Sequence, residues 1–196
     1  MQCLCNQCQV KSCDKKKNLA KRKQGKTNRN SGRYAEDKLL KLFQSWNIPL
    51  EKTVASGQLK SVTNKVKTQK YLFSGDFYTT GLIKGTRLKI ENKKRQYTDF
   101  RKFYMLSDYD ICHIKGFCYL VSQKELEAIL NRENKQKVIE IDDKQFKGLH
   151  NFFEQDNADI VTLISPNNKG TRYLDFIFCF KETTYKKLIE QMKRGN

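Results

Sequence analysis

Ala35, Leu39, Leu42, Phe43 and Trp46 recur at helical spacing and fall on one apolar stripe. The pattern predicts a helix opening at "SGRYAEDKLL", with Ser31 placed to cap its start and Pro49 beyond its end. The period then changes. "LEKTVASG", "KYLFSGDFYTT" and "GTRLKIENKK" are short Gly-bounded runs of β-forming residues, and three such strands after a helix predict an antiparallel meander packed on it. In the third run Leu88 and Ile90 share one face, so period two sets Lys89, Glu91 and Lys93 together on the other. "YTDFRKFYMLSDYD" reads as a helix, "DICHIKGFCYLVS" as a hairpin turning at Gly116, and "QKELEAILNR" as another helix. At an offset of 49, "FYMLSDYDICHI" matches "FFEQDNADIVTL", pairing Phe103 with Phe152, Asp110 with Asp159 and Ile111 with Ile160. Two copies are too few for a solenoid and indicate α/β layering only.

A length of 196 residues suits one core of ordinary size. Twelve Phe and nine Tyr supply apolar bulk for it. Composition changes the picture mainly through charge. Thirty-nine Lys and Arg against 21 Asp and Glu give a formal net charge of +18, which favours a polyanionic partner: nucleic acid first, an anionic membrane surface second. The basic segments lack an amphipathic apolar face, so the membrane reading is the weaker one. No apolar run has the length of a membrane span and the N-terminus carries no hydrophobic signal segment, so the expected location is intracellular, in cytoplasm or with the nucleic acid.

Residues 1–33 hold ten Lys or Arg and one acid, Asp14. Residues 1–30 therefore read as a flexible basic arm, with 31–196 as a single domain. The arm contains Cys3, Cys5, Cys8 and Cys13, whose ligand count would suit zinc or an iron–sulfur cluster although the spacing fits no common finger; free thiols are the alternative. Cys112, Cys118 and Cys179 sit in apolar runs and are expected to be small buried hydrophobes.

Candidate chemistry follows the order of the elements: Glu36 near the start of the first helix, Ser56-Gly57 after the first strand, Asp76 on the second, and Glu91-Asn92-Lys93 on the third. A turn around Gly81 to Gly85 would bring Asp76 and Glu91 onto one face of adjacent strands. Carboxylate oxygens so placed favour Mg²⁺ or Mn²⁺. The simpler alternative is a solvated Glu91–Lys93 ion pair with Asp76 as a turn residue.

This order, "GRYAEDKLLKLF … TVASG … SGDFY … KIENKK", resembles the PD-(D/E)XK nuclease superfamily, and within it the archaeal-type Holliday-junction resolvases, over roughly residues 31 to 122. The resemblance implies an α/β, restriction-endonuclease-like core (helix, three-strand meander, helix, strand), with an α/β C-terminal extension from about residue 123. It implies that Asp76, Glu91 and the backbone carbonyl of Asn92 bind the metal, that Lys93 is the catalytic lysine, and that Glu36 supports a water at the site. Ser56 would contact phosphate. Arg33, Lys60, Lys94 and Arg95 are the further expected nucleic-acid contacts. The activity implied is Mg²⁺-dependent hydrolysis of branched or junction DNA, by a homodimer that cuts two strands. A restriction- or repair-type endonuclease on the same core is one alternative, and a non-catalytic nucleic-acid-binding protein is another. Gly75 stands where many members have Pro, and the lysine-rich loop between Ser56 and Asp76 is long. Tyr97, Phe100, Phe103 and Tyr104 are expected in the core, and His113, His150, Asp159 and Asp175 are expected to be structural.

Overall fold

The computed structural model describes residues 21, 24, 32–53, 75–93, 110–133, 137–141, 153–154, 157–167 and 170–194. The first helix, α1 (residues 32–45), forms as the stripe predicts: Ala35, Leu39 and Phe43 are fully buried, with Leu42 and Trp46 packed at the margin. It ends in a Schellman motif. Asn47 takes a left-handed φ of 56°, its N–H donates to the Gln44 carbonyl at 3.0 Å, and the Ile48 N–H donates to the Phe43 carbonyl at 3.0 Å. Pro49 then carries the chain into the sheet. The proposed cap Ser31 lies outside the described residues.

β1 (Leu50–Lys52), β2 (Phe77–Ile83) and β3 (Thr86–Lys93) form the expected antiparallel meander, with Lys52 opposite Phe77 and Phe77 opposite Ile90. Two details differ from expectation. β2 runs through Gly81 to Ile83, so the turn is confined to Lys84-Gly85. A register shift between Thr79 and Ile83 absorbs the irregularity. Gly81 is there because a Cβ would lie 2.8 Å from both Ile48 Cγ2 and Pro49 Cδ.

The described residues form one mixed sheet of eight strands, adding β4 (Asp110–Ile114), β5 (Cys118–Ser122), β6 (Lys137–Ile141), β7 (Ile160–Asn167) and β8 (Gly170–Lys181), in the order β1-β2-β3-β7-β8-β5-β4-β6, an α/β architecture as expected. β3 pairs on its other side with β7, running parallel to it. β7 and β8, from the last third of the chain, occupy the middle of the sheet. β4 lies beyond them, hairpinned to β5 (Cys118–Ser122) through the Gly116 turn and parallel to β6 (Lys137–Ile141). The physical reason is apolar content. Ile160, Val161, Leu163 and Ile164 of β7 and Phe176 to Phe180 of β8 are buried on both faces, as interior strands require.

The offset-49 repeat is a pseudo-twofold. β4–β5 and β7–β8 are each a hairpin leading into a helix, α2 (Gln123–Leu130) and α3 (Glu182–Arg194). β5 and β8 lie antiparallel, Cys112 faces Leu120, Val161 faces Cys179, and Leu120 faces Cys179. β3 flanks one hairpin in parallel and β6 flanks the other. In this relation Glu91 of β3 corresponds to Ile139 of β6, so the charged triplet is not duplicated.

α1, α2 and α3 cover one face, packing Leu39, Phe43, Leu126, Ile129, Tyr185 and Leu188 against Phe77, Ile90, Ile160 and Phe178. The other face buries Cys112, Cys118, Leu120, Val161, Leu163, Ile177 and Cys179 with Phe153. The three cysteines are buried free thiols, as expected, and burial pushes the Cys112 thiol up to about 12.

Candidate active site

β3 carries the centre of the site because its two faces meet different neighbours. Leu88 and Ile90 enter the helix-side core, while Glu91 faces the other way beside Val161 and is only 2% exposed. A carboxylate buried so deeply in a sheet needs compensation. Lys93, two residues on and 27% exposed, supplies an ion pair from its Nζ to Glu91 Oε1.

Asp76 lies in the bend just ahead of β2, one residue short of the strand where it was expected. Gly75 makes the bend with φ +90°, which proline with its fixed negative φ does not reach. The backbone stays in the ladder nonetheless: the Asp76 N–H donates to Ile90 and its carbonyl accepts from the Thr53 N–H, both at 2.9 Å. Asp76 thus lies beside the stretch of β3 that carries Glu91, its own N–H held by the residue before Glu91 and its carboxylate by the residue after it. The Asp76 Oδ2 accepts from the Asn92 N–H at 2.9 Å. Asn92 is held from the other side, its Oδ1 accepting from the Thr162 hydroxyl of β7 at 2.9 Å. Thr162 was not singled out from sequence; the signal is a hydroxyl, fully buried, within the apolar run "DIVTLI".

Glu36 projects from α1 toward the same end of the sheet, where it ion-pairs with Lys52 at the end of β1. It is thus engaged by a lysine rather than gathered with Asp76 and Glu91. Among the described residues no three His, Cys, Asp or Glu side chains form a metal-ligand group. A pair of carboxylates, Asp76 and Glu91, remains. That donor set fits Mg²⁺, which is held by one or two carboxylates and keeps its other positions for water and substrate phosphate.

Arg33 is exposed at the start of α1. Ser56, Lys60, Lys94, Arg95, His150 and the arm cysteines Cys3, Cys5, Cys8 and Cys13 lie outside the described residues, as do Tyr97, Phe100, Phe103 and Tyr104. His113 is less isolated than its sequence context implied. It stacks on Tyr119 at 4.1 Å between centroids, with Glu140 and Glu182 carboxylates 3.8 and 3.9 Å from its nitrogens. Asp159 is structural, as anticipated: its Oδ2 accepts from the Lys89 N–H at 2.8 Å and fixes β7 to β3. No helix among the described residues is long and apolar enough to cross a membrane. No family model matches the chain, and neither a curated protein nor a solved structure matches it.

Proposed function

We propose that this chain is a divalent-metal-dependent nuclease that hydrolyses phosphodiester bonds in DNA, with branched or junction DNA as its preferred substrate. The observation that carries the reading is that the Asp76 carboxylate accepts from the N–H of Asn92, the residue after Glu91, while Lys93 ion-pairs with Glu91. Asp76, Glu91 and the Asn92 carbonyl would hold Mg²⁺ or Mn²⁺. Such an ion supplies a lowered pKa for water and charge neutralisation at a phosphodiester.

The chain's own groups do the rest. The Asn92 N–H orients the Asp76 carboxylate, and Thr162 braces Asn92 from β7. Lys93 offers an ammonium to the charge that grows on phosphorus oxygens in the transition state. Glu36, paired with Lys52, stands at the same end of the sheet and would orient water once the lysine swings to phosphate. The basic remainder of the chain attracts the polyanion. Cutting both strands of a junction would need two copies, so a homodimer belongs to the proposal.

The experiment is cleavage of labelled four-way junction and matched duplex DNA in Mg²⁺ or Mn²⁺ by wild type, Asp76→Asn and Lys93→Ala. Metal-dependent cutting lost in both variants with binding retained supports the site, and preference for the junction supports a resolvase over a restriction- or repair-type enzyme. The pairing of Glu36 with Lys52 and of Glu91 with Lys93 favours one second reading, a nucleic-acid-binding protein without catalysis. It predicts salt-sensitive binding that Asp76→Asn leaves intact and no cutting in any metal.

A further inference from the structure

β3 turns a row of side chains away from the helices. Arg87, Lys89, Glu91 and Lys93 occupy alternate positions on that face, with successive members roughly 7 Å apart by strand geometry. Three of the four are cations, and the acid among them is the buried Glu91 of the proposed site. Arg87 is 59% exposed, and its guanidinium lies 4.2 Å from the centroid of the Tyr78 ring across the β2–β3 pair. The ring holds a planar cation in place at the exposed end of the strand. Glu51 of β1 reaches Arg87 at 3.5 Å, but both partners are exposed, so the pair competes weakly with another anion. Lys89 lies between Arg87 and the site, with its backbone fixed by Asp159.

We propose that this row is a phosphate-tracking edge, and that one DNA strand lies along the outer face of β3 from Arg87 past Lys89 to Lys93. The inference deepens the nuclease reading and rests on it for the choice of DNA as the partner. Arg87 and Lys89 are then substrate-binding residues that position the strand without reading its bases. Two-residue periodicity sets Arg87, Lys89 and Lys93 along one line, with the buried Glu91 between the last two, so the cations would hold a nucleic-acid backbone on either side of the proposed metal site. The direction follows too: the end of the row at Lys93 is the cutting end, and the Lys84-Gly85 turn is the distal end.

The test is the salt dependence of DNA binding, measured without divalent ions so that no cleavage enters. Wild type is compared with Arg87→Gln/Lys89→Gln and with Lys187→Gln/Lys193→Gln, which removes the same charge from α3 on the other side of the sheet. Losing two phosphate contacts should lower the slope of log K against log[salt] by about 1.8 on duplex DNA and about 1.4 on a single strand. The α3 variant should keep the wild-type slope. An unchanged slope in Arg87→Gln/Lys89→Gln, or an equal fall in both variants, overturns the proposal. So does loss of binding to phosphatidylserine vesicles with DNA binding untouched. Thermal melts confirm that each variant is folded. The outcomes also separate the two readings: slope loss with a wild type that never cuts removes the nuclease but keeps the edge, and cutting with an unchanged slope removes the edge alone.

Discussion

Asp76→Asn separates a metal site from a structural carboxylate without any need for substrate. The change is nearly isosteric, and the Asn side-chain oxygen can still accept the Asn92 N–H that Asp76 accepts at 2.9 Å. The cost in stability should therefore stay below about 1 kcal/mol, the net worth of one hydrogen bond weakened rather than lost. Metal affinity changes far more, because one of two carboxylates disappears. A site with a dissociation constant of ~1 mM stabilises the folded chain by about 1.4 kcal/mol at ~10 mM Mg²⁺. For a domain of this size that moves the melting temperature by roughly 3–6 °C. Calorimetric or dye-monitored melts of wild type should show that rise with Mg²⁺ or Mn²⁺ and its reversal by EDTA. Asp76→Asn should melt near the metal-free wild type and respond little to either ion. A wild type indifferent to both metals, or an equal rise in the variant, would refute the assignment of Asp76 and Glu91 as ligands.

Four further outcomes follow from the packing. Arg132 ends α2 in a left-handed conformation, φ 61°, with its N–H donating to Ile129 and the Glu133 N–H donating to Ala128; Arg132→Gly should raise the unfolding free energy by about 0.5–1 kcal/mol, and a lower denaturation midpoint would contradict this. Gly81→Ala drives a methyl into Ile48 and Pro49 and should cost about 1–3 kcal/mol in chemical denaturation; a neutral result would mean that the bulge yields. Thr162→Val keeps the shape of a buried residue but deprives Asn92 of a donor, so a loss of about 1 kcal/mol is expected, together with a smaller Mg²⁺ response in the melt. Burial raises all three core thiols, Cys112 to about 12; the folded state holds these protons more tightly than the unfolded chain, so their contribution is complete below the ordinary thiol pKa near 9 and is lost as pH rises toward 12. Cys112 alone carries up to about 4 kcal/mol over that interval. Urea midpoints should fall steeply between those pH values, and native Cys112, Cys118 and Cys179 should resist a thiol reagent at pH 8; alkaline-insensitive stability would contradict the burial.

Much of the local structure was legible along the chain because it rests on short-range rules. The stripe from Ala35 to Phe43 determined α1, alternation through Leu88 and Ile90 determined β3, and the Gly116 turn determined the β4–β5 hairpin. The charged triplet Glu91-Asn92-Lys93 could be placed on a strand, with its acid and lysine on one face, from period two alone. The repeat at offset 49 was also visible, though not its meaning. What the chain could not reveal by itself was which strand lies beside β3. β7 takes that place from some 70 residues away, because strands apolar on both faces lower the free energy most in the interior of a sheet. That one pairing decides the site: it buries Glu91 against Val161 and brings the Thr162 hydroxyl to Asn92. The capture of Glu36 by Lys52 is likewise a tertiary event, a contact between a helix and a strand that no spacing in either segment encodes. Local patterns choose elements through backbone geometry and amphipathicity, whereas a site assembled from α1, β2, β3 and β7 exists only after long-range burial has selected their neighbours.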